Sequence, residues 1–208
     1  MNEAKPSIFT DSEFYDATFK NVDCRKQLLD YRTFERCIFS GCKFTEAQFE
    51  NCTFRDCQFK NCNLHLMSVA RSTFRDCGFK SCEATYVNWA LASWSAKGLL
   101  HHLTFEECNA SNSTFIGLPL RKLRMVGCIC REVDFSESDL SEAVFHKTDL
   151  EGSRFGKCTL AKADFRGAHH YTISPLDCVL KGAQFSLPEA VALLAAFDIR
   201  IASLDESV

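Results

Sequence analysis

Large apolar side chains recur along this chain every five residues, and the one that recurs most is phenylalanine. The ladder runs through Phe9, Phe14, Phe19, then Phe34, Phe39, Phe44, Phe49, Phe54 and Phe59, and later Phe74 and Phe79. After a one-residue shift in phase it resumes at Phe105, Phe115, Phe135, Phe145, Phe155, Phe165 and Phe185, so that of 19 phenylalanines Phe197 alone stands outside it. A period of five matches neither the 3.6 of an α-helix nor the 2.0 of a strand, and therefore describes a repeating unit of fold. Self-similarity of this kind predicts a solenoid.

The residue two before each ladder position is nearly always small, as in Ala17, Cys37, Cys42, Ala47, Cys57, Ser113, Ser138 and Ala163, and the other three are mostly polar, charged or glycine. One large and one small side chain per five then point inward. A second period sets the coil: Phe54-Arg55-Asp56-Cys57-Gln58-Phe59-Lys60-Asn61-Cys62 returns twenty residues later as Phe74-Arg75-Asp76-Cys77-Gly78-Phe79-Lys80-Ser81-Cys82. The pattern resembles the pentapeptide repeat family from about residue 7 to residue 185. That resemblance implies an all-β fold, a right-handed quadrilateral parallel β-helix with four pentapeptides per coil. At strand spacing of about 4.8 Å, some nine coils would make a rod roughly 43 Å long.

The ladder divides the chain into a β-helix over residues 1–185 and a C-terminal segment over 186–208, and its departures predict where the rod is irregular. In residues 23–32 the inward positions fall on Gln27 and Arg32, and burying an unpaired Arg is costly, which predicts a loop or distorted coil. In residues 87–103 the central positions become Trp89, Trp94 and Leu99, an inward position becomes Lys97, and the phase shifts. Two indoles read as too large for the bore, so this segment, with His101 and His102, predicts a projecting loop. Trp89 and Trp94 either anchor its root or contact a partner. Residues 168–175 put His170 and Pro175 on central positions and predict a local bulge. Adjacent histidines on an extended chain point to opposite sides, which argues against a metal at either His-His pair. Past Phe185, Ser186 and Glu189 have the spacing of a capping box and predict an α-helix that closes the end of the rod. Its apolar residues exceed what one capping face needs, so Leu187, Val191, Leu193, Leu194 and Phe197 are candidates for a dimer contact.

Composition then narrows the class. All 13 cysteines fall on core positions, eleven of them on the small inward one, where a free thiol packs as a small hydrophobe. The start of the chain lacks a signal-like apolar stretch and the apolar run 190–197 cannot span a bilayer, so the expected compartment is the cytoplasm. No phosphate loop, metal-ligand spacing or nucleophile elbow is present, so neither an enzyme nor a cofactor is implied.

The mid-chain loop, the N-terminal irregularity and the C-terminal helix together resemble the topoisomerase-poison resistance branch, the quinolone-, albicidin- and microcin-resistance members. The segments Val87-Asn88-Trp89, Met125-Val126-Gly127-Cys128 and Phe185-Ser186-Leu187-Pro188-Glu189-Ala190 resemble the albicidin-resistance members most. The resemblance implies a noncatalytic homodimer, joined C-terminus to C-terminus and shaped like B-DNA, that binds DNA gyrase or topoisomerase IV and protects it. The alternative is a pentapeptide scaffold with a different regulatory partner. Charge mimicry of DNA is weak: the formal net charge is -3, whereas a DNA duplex as long as the dimer carries on the order of fifty charges. Asp134, Glu137, Asp139, Glu142, Asp149 and Glu151 are the candidate acidic surface. A pI of about 6.1 and inward aromatics argue against direct nucleic-acid binding.

Overall fold

A left-handed residue at the second position after most central ones turns the chain through a corner. Asp16, Asn21, Arg36, Asp56, Asn61 and Lys162, for example, have φ between 52° and 59°. Such a conformation costs a non-glycine residue about 1–2 kcal/mol. The corner amide offsets much of this by bonding to the next coil, as from Asp56 N to Arg75 O at 2.9 Å and from Lys162 N to Lys181 O at 2.9 Å, each bond contributing about 0.5–1.5 kcal/mol.

Four corners close one coil, and the chain returns above itself as a parallel β-helix of four faces. The computed structural model describes residues 9–94, 102–197 and 199. On one face Glu13–Tyr15, Thr33–Glu35, Thr53–Arg55 and Thr73–Arg75 pair in parallel, with Phe14, Phe34, Phe54 and Phe74 in register. The adjoining face stacks Phe19, Phe39, Phe59, Phe79, Phe105, Met125, Phe145, Phe165 and Phe185 in one column. The consecutive phenylalanine rings of that column lie 4.7–5.2 Å apart and nearly parallel. The other two faces are held by Leu28–Asp30 against Gln48–Glu50 and by isolated bridges such as Asp23 with Lys43 and Asp134 with Arg154.

The small inward position has a second task. Its thiol or hydroxyl donates to the central carbonyl of the coil before: Cys57 Sγ to Phe34 O at 3.3 Å, Ser72 Oγ to Phe49 O at 2.9 Å, Ser138 Oγ to Phe115 O at 2.6 Å and Thr148 Oγ1 to Met125 O at 2.9 Å. This explains why Cys, Ser and Thr share the position with Ala. All 13 cysteines are buried and free, and burial pushes the Cys52 thiol up to about 11 and the Cys158 thiol up to about 12.

Several sequence expectations are corrected. Residues 23–32 are not a loop: Leu28–Asp30 pairs with Gln48–Glu50 and Leu29 is buried. Arg32 escapes full burial by remaining half-exposed, although its Nε is buried without a hydrogen-bond partner. Trp89 is not too large for the bore. It is 0% exposed and makes ring contacts with Phe74, Phe79, Phe105 and Phe115 at 5.3–5.8 Å. The neighbouring column supplies Ala84 and Ala110 at central positions nearby, where other coils carry Phe44, Leu64 or Leu150. The bulge at 168–175 takes the form of a shift in which Tyr171 and Ile173, not His170 and Pro175, are buried. The C-terminal segment is a 3-10 helix, Glu189–Phe197, not an α-helix. Its expected cap is used elsewhere, since Ser186 Oγ accepts from Gly167 N at 2.9 Å.

The stacked columns make a concrete prediction for stability. Phe54 lies between Phe34 and Phe74 at 5.0 and 4.7 Å and has no exposed surface, so Phe54→Ala should cost about 3–5 kcal/mol in equilibrium urea unfolding. Lys60→Ala, on the outer surface of the next pentapeptide, should stay within about 0.5 kcal/mol; equal effects would contradict this account of the core.

Candidate partner-binding surface

The regular coil extends further into the segment 87–103 than the sequence predicts. Asn88, Trp89 and Leu91 continue the coil: Asn88 bridges to Thr114, Arg71 N donates to Leu91 O at 2.8 Å, and Ser93 N to Ser72 O at 2.8 Å. A 3-10 turn, Trp89–Leu91, replaces the usual left-handed corner, with the Asn88 side chain accepting from Ala90 N. The chain then rejoins the ladder where Leu103 pairs with Cys77. From Phe74 to Cys77 is three steps, whereas from Trp94 to Leu103 is nine, so six residues are inserted here. Lys97 and His101 lie outside the described residues.

The two indoles therefore have different fates. Trp89 is core and touches no solvent, which removes it from the partner-binding candidates. Trp94 is half-buried where the inserted residues begin, packs on the core and donates from Nε1 to Trp89 O at 2.8 Å. His102 is exposed, its carbonyl receiving Cys77 N at 3.1 Å. Beside it a groove of about 310 Å³ is lined by Gln58, Lys60, Gly78, Lys80, His102 and Glu106.

Sequence reasoning missed an apolar patch next to the insertion. Leu66, Tyr86, Leu91 and Ile116 are 46%, 52%, 54% and 41% exposed. Register places them on one face: residue 66 lies under 86, and 91 beside the column that carries 116. For Leu66 and Tyr86 the signal was an apolar residue at the left-handed corner, a position that mostly carries Asn, Asp, Gly, Lys, Glu or Arg. Exposed apolar side chains gathered at the edges of one face make it a candidate contact surface.

The six acidic candidates do not form a bare anionic face. Asp134 pairs with Arg154 at 3.1 Å, Glu142 with Arg121 at 3.3 Å, Asp139 with Arg121 at 3.9 Å, and Arg131 holds Asp149 at 2.7 Å and Glu151 at 3.3 Å. Glu137, at a left-handed corner, has no ion pair among the described residues. Several of these carboxylates also serve the backbone, Asp134 accepting from Ser136 N at 3.0 Å, Asp139 from Ser141 N at 3.0 Å and Asp149 from Glu151 N at 3.3 Å. They are turn formers first, because an Asp before the central residue can bond the amide two residues on.

Asp149 and Asp164 are the most enclosed of the acids, 7% and 8% exposed. Burial alone would raise the Asp149 carboxyl, but hydrogen bonds from His170 and Arg131 outweigh it and hold it below the usual range. Arg166 does the same to Asp164 more strongly, with Nη2 at 2.6 Å, Nε at 2.9 Å and the backbone N at 3.1 Å. His146 Nε2 lies 2.8 Å from Asp164 Oδ2 without hydrogen-bond alignment. His169 and His170, expected to diverge, lie together with ring centroids 4.8 Å apart.

At the C-terminal end, Leu193 packs against the core and so caps the rod, which removes it from the dimer candidates. Leu187, Val191, Leu194 and Phe197 remain exposed at 79%, 41%, 39% and 49%. No described helix is long and apolar enough to cross a membrane.

A sequence-family model described as a pentapeptide repeat region matches residues 32–115 and 96–168. No curated protein matches the chain in sequence. Two solved structures of trypsin-treated variants of QnrB1, a plasmid-mediated fluoroquinolone resistance protein, are similar in fold. One has a TM-score of 0.52 at 16% identity, covering 92% of this chain and 99% of that one. The other has 0.53 at 17%, covering 92% and 97%. HetL, a pentapeptide repeat protein involved in heterocyst differentiation regulation from the cyanobacterium Nostoc, has a TM-score of 0.66 at 12% identity, covering 82% of this chain and 84% of that one.

The depressed Asp164 carboxyl predicts an acid-sensitive contribution to stability. A group whose folded pKa lies below its unfolded value of about 3.9 stabilises the fold above that value, and the contribution is lost as pH falls through the folded pKa. Asp164→Asn should therefore lower stability by roughly 1 kcal/mol near neutral pH, a value already reduced for the exposure of Arg166. The gap to wild type should narrow between about pH 4 and pH 2; a gap that is constant in chemical denaturation across that range would rule out the charge as its cause.

Proposed function

The chain belongs to the pentapeptide repeat family, whose model spans residues 32–115 and 96–168, and we propose that it binds a type II topoisomerase and protects it from a poison. The target is DNA gyrase or topoisomerase IV, the poison is of the quinolone or albicidin type, and the protein acts as a noncatalytic homodimer in the cytoplasm. The observation that carries this reading is the combination of a continuous rod with one six-residue insertion at Trp94–Leu103. The fold shared with QnrB1 over 92% of the chain supports it. So does the resemblance of the Val87-Asn88-Trp89 and Met125-Val126-Gly127-Cys128 segments to the albicidin-resistance members.

Recognition rests on shape, the loop and the apolar face more than on bulk charge. Acid and base alternate along the columns, as in Asp16 with Arg36, Glu35 with Arg55, and Glu142 with Arg121, so each pair cancels most of its own field. Exposed pairs of this kind contribute about 0–1 kcal/mol each and leave little net potential to imitate a phosphate backbone. Leu66, Tyr86, Leu91 and Ile116 give the partner an apolar surface beside the insertion. The exposed Leu187, Val191, Leu194 and Phe197 give a second copy one at the rod's end.

The likeness to HetL favours a second reading, a scaffold for a regulatory partner, because its TM-score of 0.66 is the higher one. A supercoiling assay with purified gyrase, with and without a quinolone or albicidin, separates the two. Protection predicts restored supercoiling and less drug-stabilised cleavage. Deleting residues 96–101 returns Trp94 to Leu103 to three steps and should abolish rescue with no loss of thermal stability. Absence of any effect by the intact protein would refute the topoisomerase reading, and undiminished rescue by the deletion would refute the place of the loop in it.

The dimer is tested separately by light scattering. The intact chain should run at twice its 23.5 kDa, and the triple substitution L187S/V191S/L194S should run as a monomer with an unchanged circular dichroism spectrum. A dimer that survives it would place the contact elsewhere.

A further inference from the structure

The side chains of Asp149, His169 and His170 converge near the C-terminal end of the rod, each offering one ligating atom, and these atoms all lie within 4.8 Å of one another. His170 Nδ1 is 2.8 Å from Asp149 Oδ1, and His169 Nε2 is 3.9 Å from the same oxygen. Neighbouring side chains on an extended strand point apart. Here His170 has φ +58, and this left-handed residue turns the second imidazole back beside the first. His169 is fixed by its bridge to Asp149 one coil below. The backbone of the bulge and the register of the coil thus bring together groups that the linear pattern separates.

We propose that this cluster is a binding site for a divalent transition-metal ion of the zinc class. Zinc binds imidazole nitrogen and carboxylate oxygen at about 2.0–2.2 Å, and ligand atoms in tetrahedral arrangement around it are about 3.4 Å apart. The separations from Asp149 Oδ1, 2.8 and 3.9 Å, fall on either side of that value and the remaining one is within 4.8 Å, so the ion is accommodated by rotation of the imidazoles. Two imidazoles with one carboxylate suit zinc, nickel or copper better than calcium or magnesium, which take oxygen. Three protein ligands leave the fourth position to water, and His169 and His170, with side chains 39% and 56% exposed, leave an entry path.

The surroundings fit a cation. Arg131 Nε and Nη2 both hold Asp149 Oδ2 at 2.7 Å, which turns Oδ1 toward the imidazoles as hydrogen bonds to a ligating carboxylate do at metal sites. The charge of Arg131 is offset by Glu151 at 3.3 Å, and Glu189 adds a further negative field on His170. Binding at Nδ1 requires the proton between His170 and Asp149 to leave that nitrogen, to Nε2 of the same ring when the imidazole is neutral and to solvent when it is charged. The ion would then tie the bulge to the regular coil below it, next to the 3-10 segment that carries the exposed apolar residues.

Isothermal titration of the full chain with zinc chloride, in a chelator-free buffer at pH 7.5 with a phosphine reductant, tests the assignment. One equivalent should bind, and saturating zinc should raise the melting temperature. H169Q/H170N should weaken zinc binding at least tenfold, the Asn being chosen because it tolerates a left-handed backbone. H169Q alone leaves the His170–Asp149 hydrogen bond in place and should also weaken binding at least tenfold, which protects the test against misfolding of the double variant. H101Q/H102Q controls for the other histidine pair and should bind as the wild type does. No zinc uptake by the wild type, unchanged affinity in H169Q, or loss confined to H101Q/H102Q overturns the proposal.

Discussion

Every coil must hydrogen-bond both to the coil below and to the coil above, and this return of the backbone onto itself governs the rest of the molecule. The amide of Thr73 reaches back to Cys52 O at 2.8 Å, and that of Asp56 reaches forward to Arg75 O at 2.9 Å. Neither bond forms unless the chain comes back in register after four pentapeptides. The left-handed corners are therefore imposed on residues such as Lys26, Arg36 and Leu66 that would not choose them, and the cost is carried because an unpaired buried amide costs more. Once register is fixed, like residues stack on like, and the phenylalanine columns follow as a consequence.

That dependence explains which features were legible in the sequence. Phe39, Phe59 and Phe79 announce a column because a coil-length period places them on one line, and all three are buried in it. The insertion announces itself as a phase shift, since six residues added to periods of five leave a remainder of one. Its boundaries were less legible. Trp89 looked like part of the loop because its volume was judged against an average bore, whereas volume is exchanged locally, Ala84 and Ala110 making room near the indole. Arg32 looked unable to occupy a coil because its position was taken as wholly inward, yet the long side chain reaches solvent while Leu29 fills the core.

Surface chemistry was harder to read for a related reason. Whether Asp134 or Glu142 presents charge depends on Arg154 or Arg121, a coil away in the chain and adjacent in space. A count along the sequence finds a locally acidic stretch, while the folded surface finds alternating pairs. The aspartates of that stretch, Asp134, Asp139 and Asp149, also hold turn amides, so their presence is explained before any partner is considered. The corner residues Leu66 and Tyr86 have no such structural reason. An apolar side chain at a position where the backbone asks only for tolerance of positive φ is more informative about contacts than an acid that the turn itself requires.

Where the register changes, the chain regains freedom that a regular coil denies it. Between Trp94 and Leu103 it adds residues without disturbing the columns on either side. At His170 it adds a left-handed residue, so that Tyr171 and Ile173 fill the bore and two imidazoles meet one carboxylate. Beyond Phe185 it leaves the helix of coils for a 3-10 turn that commits Leu193 to the rod and leaves Leu194 exposed. A regular column can vary only the identity of its side chains, whereas these interruptions vary where the backbone points them. Distinct chemistry in a repeat protein concentrates at such places because there the geometry of one coil need not be that of the next.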